Sequence, residues 1–287
     1  MTDVVVTGIA AGAVYGLFAL GLVLVYKATK ILNFAQAEIG SFATFVAWGL
    51  IASWKLPWLL GVVVALLVAA ALGLTFERAV VRPLIDAPRL TLVVATIGMG
   101  LLLAGLEFKL WGASPRIMPS PFHGSGLHVG HVVLPPPRLL ALALTAVAAG
   151  ASAWFFRRTT FGLAILAAAQ DVIGVRLTGI RLRHLSAFTW GVSSVVGALA
   201  GIVIALSLGA FAPTFLNGIM LLGFAAAVLG GMTSLPGALI GGIVVGVTQA
   251  VVSHYWISVP GLVEAVMFGA IVTVLLLRPR GLLGRTA

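Results

Sequence analysis

Residues 58–74 read WLLGVVVALLVAAALGL, a run without one charged side chain, hydroxyl or amide. In hydrocarbon, such a run satisfies its backbone hydrogen bonds within itself only as an α-helix. A membrane β-barrel strand would alternate apolar and polar residues over about ten positions, whereas this run is apolar on every side. The stretch therefore predicts an all-α fold, a polytopic bundle of transmembrane helices.

The composition extends this prediction to the whole chain of 287 residues. Hydrophobic residues make up 61% and charged residues 8%, against about 25% charged residues in soluble domains. So few charges exclude a soluble enzyme, a nucleic-acid-binding domain and a disordered chain. The net charge of +10 is typical of basic loops beside anionic lipid. No cysteine is present, which excludes disulfides and thiolate metal sites.

The apolar runs and the charged loops between them predict a topology. A spanning helix needs about 20 mostly apolar residues, and basic loops stay on the cytoplasmic side. The basic segments 27–32, 77–89, 157–184 and the tail are therefore expected inside and the loop 109–137 outside, which places the N-terminus outside and the C-terminus inside. We predict a single transmembrane domain over 1–287 with eight or nine membrane segments, drawn from 4–26, 33–52, 58–76, 90–108, 138–156, 185–209, 218–231, 237–252 and 261–277.

The segments 218–231 and 237–252 are shorter than a comfortable crossing, and they are joined by Gly230, Gly231, Pro236 and Gly237. Short hydrophobic segments interrupted by Gly and Pro are typical of broken helices that line a transport route. Two arrangements fit: a re-entrant or broken-helix pair within 218–252, or two tilted full helices with a tight turn. Both place the other loops and the two termini on the same sides of the membrane.

Polar residues inside spans are costly and therefore informative. Asn33 and Gln36 are three residues apart and share a helix face, so they are candidates to line a translocation path, with Gln249 as a weaker third. The alternative makes Asn33 a helix cap and places Glu38 near the positive helix end. Glu107 is expected to mark the membrane edge, and no paired carboxylates are expected within the spans.

Glycines recur four residues apart, at Gly8, Gly12 and Gly16 and again at Gly237 and Gly241. Residues at this spacing share one helix face, and without Cβ they let two helix backbones approach closely. They predict tight helix packing, either within the bundle or along a pore or dimer seam.

Several chemical signatures are missing from the sequence. No phosphate-binding loop and no hydrolase or metalloprotease motif is present. His123, His128 and His131 lie in a glycine-rich loop without helical spacing, so no metal site is expected. The inner loop 157–184 contains the Ala-rich stretch 164–173, which favours a short helix. That helix would lie in the headgroup layer or dock a soluble partner.

The chain resembles the permease subunits of branched-chain amino acid ABC importers, of the high-affinity Leu/Ile/Val type. The resemblance runs in order along nearly the whole chain, and its departures are Ala37 where many members have Gly and Gly174 where Ala is commoner. It is carried by GAVYGLFALGLVLVYKATKILNFAQAEIGSF (12–42), FERAVVRPL (76–84), TLVVATIGMGL (91–101), AAAQDVIGVRLTGIRLRHLSAFTWGVSSVVGALAG (167–201), AAVLGGMTSLPGALIGG (226–242) and RPRGLLG (278–284).

This resemblance implies a non-enzymatic transport subunit in the bacterial cytoplasmic (inner) membrane. The expected partners are a second related permease, two separate ATPase subunits that carry ATP and Mg, and an extracytoplasmic substrate-binding protein. No catalytic residue, cofactor or metal is expected on this chain. Contacts to the ATPase are implied for Gln170, Asp171, Arg176, Gly179 and Ile180. Relatives of the family also carry urea, amides or aromatic acids, and an ATP-independent channel or carrier is the competing hypothesis.

Overall fold

The computed structural model describes residues 2–121, 126–129, 132–170, 174–175, 182–256, 260–278 and 281. Within these residues, helices dominate, and one short antiparallel hairpin lies between the fourth and fifth of them. The helices are α1 (Thr2–Thr29), α2 (Gln36–Trp48), α3 (Trp58–Phe76), α4 (Arg89–Trp111), α5 (Pro136–Arg158), α6 (Thr160–Gln170), α7 (Leu182–Leu208), α8 (Asn217–Gly230), α9 (Leu235–Tyr255) and α10 (Leu262–Leu277), and the strands are β1 (Leu127–Val129) and β2 (Val132–Leu134). Single π-helical turns extend α2 over Gly49–Ser53 and α3 over Glu77–Val81.

The predicted helical architecture is confirmed. Among the described residues, six helices are long and apolar enough to cross a membrane: α1, α3, α4, α5, α7 and α9. The helices α2, α8 and α10 have 13, 14 and 16 residues and fall short of the usual crossing length. The count of eight or nine crossings and the sides of the two termini stay predictions.

Helix α1 lies at the centre of the bundle. In its apolar window 89% of the residues are buried, and the segment 17–25 is almost inaccessible on all sides. A helix that is hydrophobic all round packs in this way because it has no polar face to present. Helix α5 is the opposite case, with 6% of its window buried, and it lies at the periphery.

The glycines of α1 make its contact with α9. A Cβ added to Gly12 would lie 2.6 Å from the carbonyl oxygen of Gly242, and one added to Gly8 would lie 2.7 Å from Cα of Val247. A Cβ on Gly246 would meet the backbone of Gly8 and Gly12 in turn. These glycines therefore form a backbone-to-backbone seam within this chain.

A tight turn joins α8 to α9. Gly231 takes φ of 105°, a conformation that side chains with Cβ rarely adopt, and Ser234 caps α9 by accepting from the backbone N of Gly237 at 3.1 Å. Gly230 and Gly237 touch backbone to backbone. The expectation of two short segments is correct for α8 and wrong for α9, which continues to Tyr255 and has 21 residues.

The connection after α4 and the connection before α8 are paired by backbone hydrogen bonds. Arg116 and Phe211 each donate to the other's carbonyl, at 2.8 and 2.9 Å, and the Arg116 guanidinium lies 4.8 Å from the Trp48 ring centroid. This bridge fixes the strand-like segment before α8 beside the end of α4, and so brings Thr214 to Glu107.

Candidate functional site

The chain between α1 and α2 is not helical although it lies deep in the bundle. Helix α1 ends at Thr29, and Lys30 turns the chain with φ of 59°. Six residues later, the Gln36 amide donates to the carbonyl oxygen of Phe18 at 2.9 Å. Phe18 precedes Thr29 by eleven residues, or about 16 Å of helix. The segment 30–35 therefore runs back along α1 before α2 begins.

Side chains satisfy the backbone of this segment in place of helical bonds. The Thr96 hydroxyl of α4 accepts from the backbone N of Phe34 at 3.3 Å. It lies 2.8 Å from the carbonyl oxygen of Val93 in its own helix and 3.2 Å from that of Leu32. The Asn33 side-chain oxygen accepts from the backbone N of Ala35 at 3.1 Å. Non-helical backbone at membrane depth is tolerated only where protein buries it or where it lines a water-filled cavity. The segment meets the first condition, since Asn33 and Ala35 are fully buried.

Gln36 bridges three helices. Its oxygen accepts from the Ser193 hydroxyl of α7 at 2.8 Å, and the same hydroxyl lies 2.9 Å from the carbonyl oxygen of Gly21. Glycines make the room, because a Cβ on Gly21 would lie 2.5 Å from the Gln36 amide nitrogen and one on Gly197 would lie 3.2 Å from Gln36 Cγ. Both ends of the Gln36 amide are thus engaged within the chain.

A second polar group joins α2, α4 and the start of α8. Glu107 is fully buried, and its Oε2 accepts from the Ser41 hydroxyl at 2.9 Å and from the backbone N of Thr214 at 3.1 Å. Glu38, one turn before Ser41, lies near the side chain of Asn217 and is close enough to Glu107 for the two carboxylates to interact electrostatically.

Protein covers Glu107 completely, which the sequence did not indicate, and Glu38 lies near enough to interact with it electrostatically. The interpretation of Asn33 as the cap of α2 needs correction, since the cap position is Ala35 and it has no side-chain hydrogen bond. Asn33 instead closes the turn before that position.

Three polar atoms of this region are buried without a hydrogen-bond partner in the part of the chain that the structure describes. They are Asn33 Nδ2, Glu38 Oε2 and Glu107 Oε1. Native proteins leave few buried polar atoms unpaired, and each such atom calls for an explanation. These three atoms comprise one donor and two acceptors. We refer to Asn33, Gln36, Glu38, Ser41, Thr96, Glu107 and Ser193 as the polar layer.

The other predicted site residues lie elsewhere or outside the described residues. Gln249 is half-buried on α9, and its side chain hydrogen-bonds the Tyr15 hydroxyl of α1. In the inner loop, α6 begins after Thr159, whose hydroxyl accepts from the backbone N of Gly162 at 2.9 Å. Helix α6 ends at Gln170, and Asp171, Arg176, Gly179 and Ile180 lie outside the described residues, as do His123 and His131.

Helix α6 packs against the bundle through one apolar face. Ile165 is fully buried, and Ala164 and Ala168 are nearly so. All three join the core cluster that surrounds α1. The sequence left open whether this helix lies in the headgroup layer or docks a soluble partner. Its apolar face does neither, because that face packs against its own chain.

Comparison with protein families gives one match that covers most of the chain. The profile described as "Branched-chain amino acid transport system / permease component" matches residues 4–276. The chain belongs to this permease family. It is a transport subunit of the ABC importer type and not an enzyme, as the sequence predicted, and membership implies ATPase and binding-protein partners.

Curated relatives agree over nearly the full length. The chain is 31% identical over 293 residues to the high-affinity branched-chain amino acid transport system permease protein LivH of Escherichia coli strain K12, covering 97% of this chain and 94% of that one. It is 32% identical over 296 residues to the corresponding protein BraD of Pseudomonas aeruginosa, covering 98% and 94%. Among solved structures, PsaBC from Streptococcus pneumoniae in complex with Fab gives a TM-score of 0.48 at 16% identity, covering 96% of this chain and 89% of that one. A likeness at that level carries no inference.

Proposed function

We propose that this permease forms half of the translocation path for branched-chain or closely related amino acids in the bacterial cytoplasmic membrane. The substrate class is supported by two relatives of 31% and 32% identity whose names state branched-chain amino acid transport. The other half of the path is a second related permease. An extracytoplasmic binding protein delivers the substrate, and two ATPase subunits hold ATP and Mg.

One observation supports the position of the path. The segment 30–35 runs back without helical structure from the end of α1 towards the level of Phe18, and the polar layer beside it contains unpartnered donor and acceptor atoms. Transporters commonly bind substrate near the bilayer midplane, where a helix is broken and its polar groups are free. We place the path beside Asn33 and Glu38.

The three path candidates differ in how strongly their contacts support them. Asn33 has an unpartnered amide nitrogen, which is a donor for a carboxylate. Both ends of the Gln36 amide already bond Phe18 and Ser193, so Gln36 supports the layer from behind. Gln249 is paired with Tyr15 on the seam between α1 and α9 and is the weakest candidate.

The inner loop is the proposed contact with the ATPase. Helix α6 is anchored on the core by Ile165, and it leads directly into the segment 170–180 that contains the implied contact residues. Because α6 packs against α1, α5 and α7, movement of the segment 170–180 would be transmitted to these helices through α6.

The topology proposed with this function has the N-terminus outside, the C-terminus inside and eight or nine crossings. The pair α8 and α9 is either two crossings or a re-entrant pair. Because the chain has no cysteine, single introduced cysteines report their side by labelling with an impermeant maleimide. Labelling of position 158 from the outside of intact cells would contradict the proposed orientation.

Uptake by the complete importer tests the function. The permease is expressed with its partner permease, ATPases and binding protein in a host that lacks its own systems, and uptake of labelled leucine, urea and an aromatic acid is compared. We expect leucine uptake that is lost when the ATPase subunits cannot hydrolyse ATP. Uptake of urea or the aromatic acid alone would overturn the substrate class, and uptake without a functional ATPase would favour a channel or carrier.

A further inference from the structure

An apolar groove opens on the side of the bundle where α5 packs. It has a volume of about 250 Å³ and lies between α1, α5 and α7. Its main lining residues are Leu24 from α1, Ala151, Trp154 and Phe155 from α5, and Phe188 and Val192 from α7. The groove is formed because α5 touches the rest of the bundle along only part of its surface.

Aromatic rings form the wall of the groove. Phe155 and Phe188 are stacked with ring centroids 5.3 Å apart, and Phe161 of α6 meets Phe188 edge-on at 5.2 Å. The Thr189 hydroxyl bonds the carbonyl of Leu185 in its own helix at 3.0 Å, so it directs no donor into the groove. Ser152 and Thr189 are the polar residues of the lining, and the rest of the surface is apolar and suits a hydrocarbon chain.

Each of the three helices places a basic residue one turn beyond its lining residues, at the same end of the groove. Lys27 follows Leu24 by three residues, Arg158 follows Phe155 by three, and His184 precedes Phe188 by four, and residues at these spacings share a helix face. Lys27 Nζ lies 5.3 Å from the Phe156 ring centroid, which places it beside the end of α5. Arg158 and His184 are exposed, and Lys27 is half-buried.

We propose that this groove binds an anionic phospholipid, with one acyl chain against the aromatic wall and the phosphate held by Lys27 and Arg158. The apolar body and the basic end match the two parts of such a lipid, and basic pockets between membrane helices are known to bind anionic head groups. The lipid fastens the peripheral helix α5 to α1 and α7. It thereby supports the junction of α5 and α6 from which the inner loop leaves.

Lipid titration by native mass spectrometry tests the proposal. The full-length chain, purified together with its partner permease, is delipidated and titrated with phosphatidylglycerol or with phosphatidylcholine of the same acyl chains. Each basic side chain near the membrane strengthens binding of anionic lipid roughly fivefold. The double variant Lys27→Gln/Arg158→Gln is therefore expected to bind phosphatidylglycerol roughly 30-fold more weakly and phosphatidylcholine unchanged.

A matched variant separates the groove from general surface charge. Arg78 and Arg89 are exposed and lie on α3 and α4, outside the groove, so Arg78→Gln/Arg89→Gln removes the same charge and should leave phosphatidylglycerol binding intact. A second variant, Ala151→Trp, fills the groove from an exposed position and should weaken both lipids without unfolding the chain.

Three results would overturn the proposal. The first is equal binding of the two lipids by the unmodified chain. The second is an equal loss of phosphatidylglycerol in both double variants. The third is a cross-link from a cysteine at position 151 to the partner permease in the assembled importer, because the groove would then be a subunit interface.

Discussion

The seam between α1 and α9 gives the sharpest test of the packing. In the variant Gly12→Ala, the new Cβ would lie 2.6 Å from the carbonyl oxygen of Gly242 and 2.7 Å from Cα of Ile243. Ordinary contact begins at about 3.4 Å, so the helices must separate locally by about 0.8 Å. Both obstacles are backbone atoms, which no change of rotamer removes.

The size of the effect follows from two opposing terms. Overpacking a well-packed contact costs about 1–3 kcal/mol, and a backbone obstacle on both sides favours the upper half of that range. Replacing a helical glycine by alanine returns about 0.5–1 kcal/mol through helix propensity. We therefore expect Gly12→Ala to destabilise the chain by about 1–2 kcal/mol.

Two further glycines provide a graded control. A Cβ on Gly16 would lie 3.2 Å from Leu239, so Gly16→Ala should be near neutral. Nothing lies within 4 Å of a Cβ on Gly98 in α4, so Gly98→Ala should be neutral or stabilising by up to about 1 kcal/mol. Thermal unfolding of the three variants in one detergent is the measurement. If Gly12→Ala melted at the same temperature as Gly98→Ala, the seam would not be backbone-to-backbone and the reasoning would be refuted.

Three other predictions concern the polar layer and the inner loop. A double-mutant cycle with Gln36→Leu and Ser193→Ala should give a coupling free energy of about 0.6 kcal/mol and at most about 1.7 kcal/mol, the range for hydrogen bonds between membrane helices. Zero coupling in thermal unfolding would contradict the bridge between Gln36 and Ser193. Glu107→Gln keeps an acceptor for Ser41 and the backbone N of Thr214 and should preserve stability. Glu107→Ala removes that acceptor and should lower the free energy of unfolding by about 1–3 kcal/mol. Equal melting temperatures of the two variants would contradict the prediction. Arg176→Glu should abolish ATP-driven leucine uptake while the protein level in the membrane, measured by immunoblot, is unchanged, and normal uptake would argue against ATPase contact there.

Helical architecture could be predicted from the sequence because it depends on local composition. Each of the nine predicted spans coincides with a helix, since an apolar run in lipid has no other way to satisfy its backbone. Boundaries were less predictable. Helix α9 runs past Ser253 and His254 to Tyr255, where the polar side chains suggested an end, because Ser234 and the glycine seam stabilise the helix from its other half.

The break before α2 was not predictable from the local sequence. The segment 30–35 is held by Thr96, which lies 62 residues from Phe34 along the chain, and a single sequence without an alignment does not show such a contact. Glu107 illustrates the same limit. Its position in the last turns of α4 suggests a surface carboxylate, and only the packing of α2 and of the segment before α8 reveals that it is buried.

The polar layer costs stability, and packing alone does not account for it. The α1–α9 seam shows that this chain can join two helices largely through glycine backbone contacts. In the polar layer, by contrast, Asn33, Glu38 and Glu107 each leave one buried atom unpaired among the described residues, and each such atom costs about 1–3 kcal/mol. Well-packed apolar residues would hold α2 and α4 together at least as firmly. Buried polar atoms without partners concentrate at functional sites. A role in transport therefore explains the polar layer better than a role in folding does.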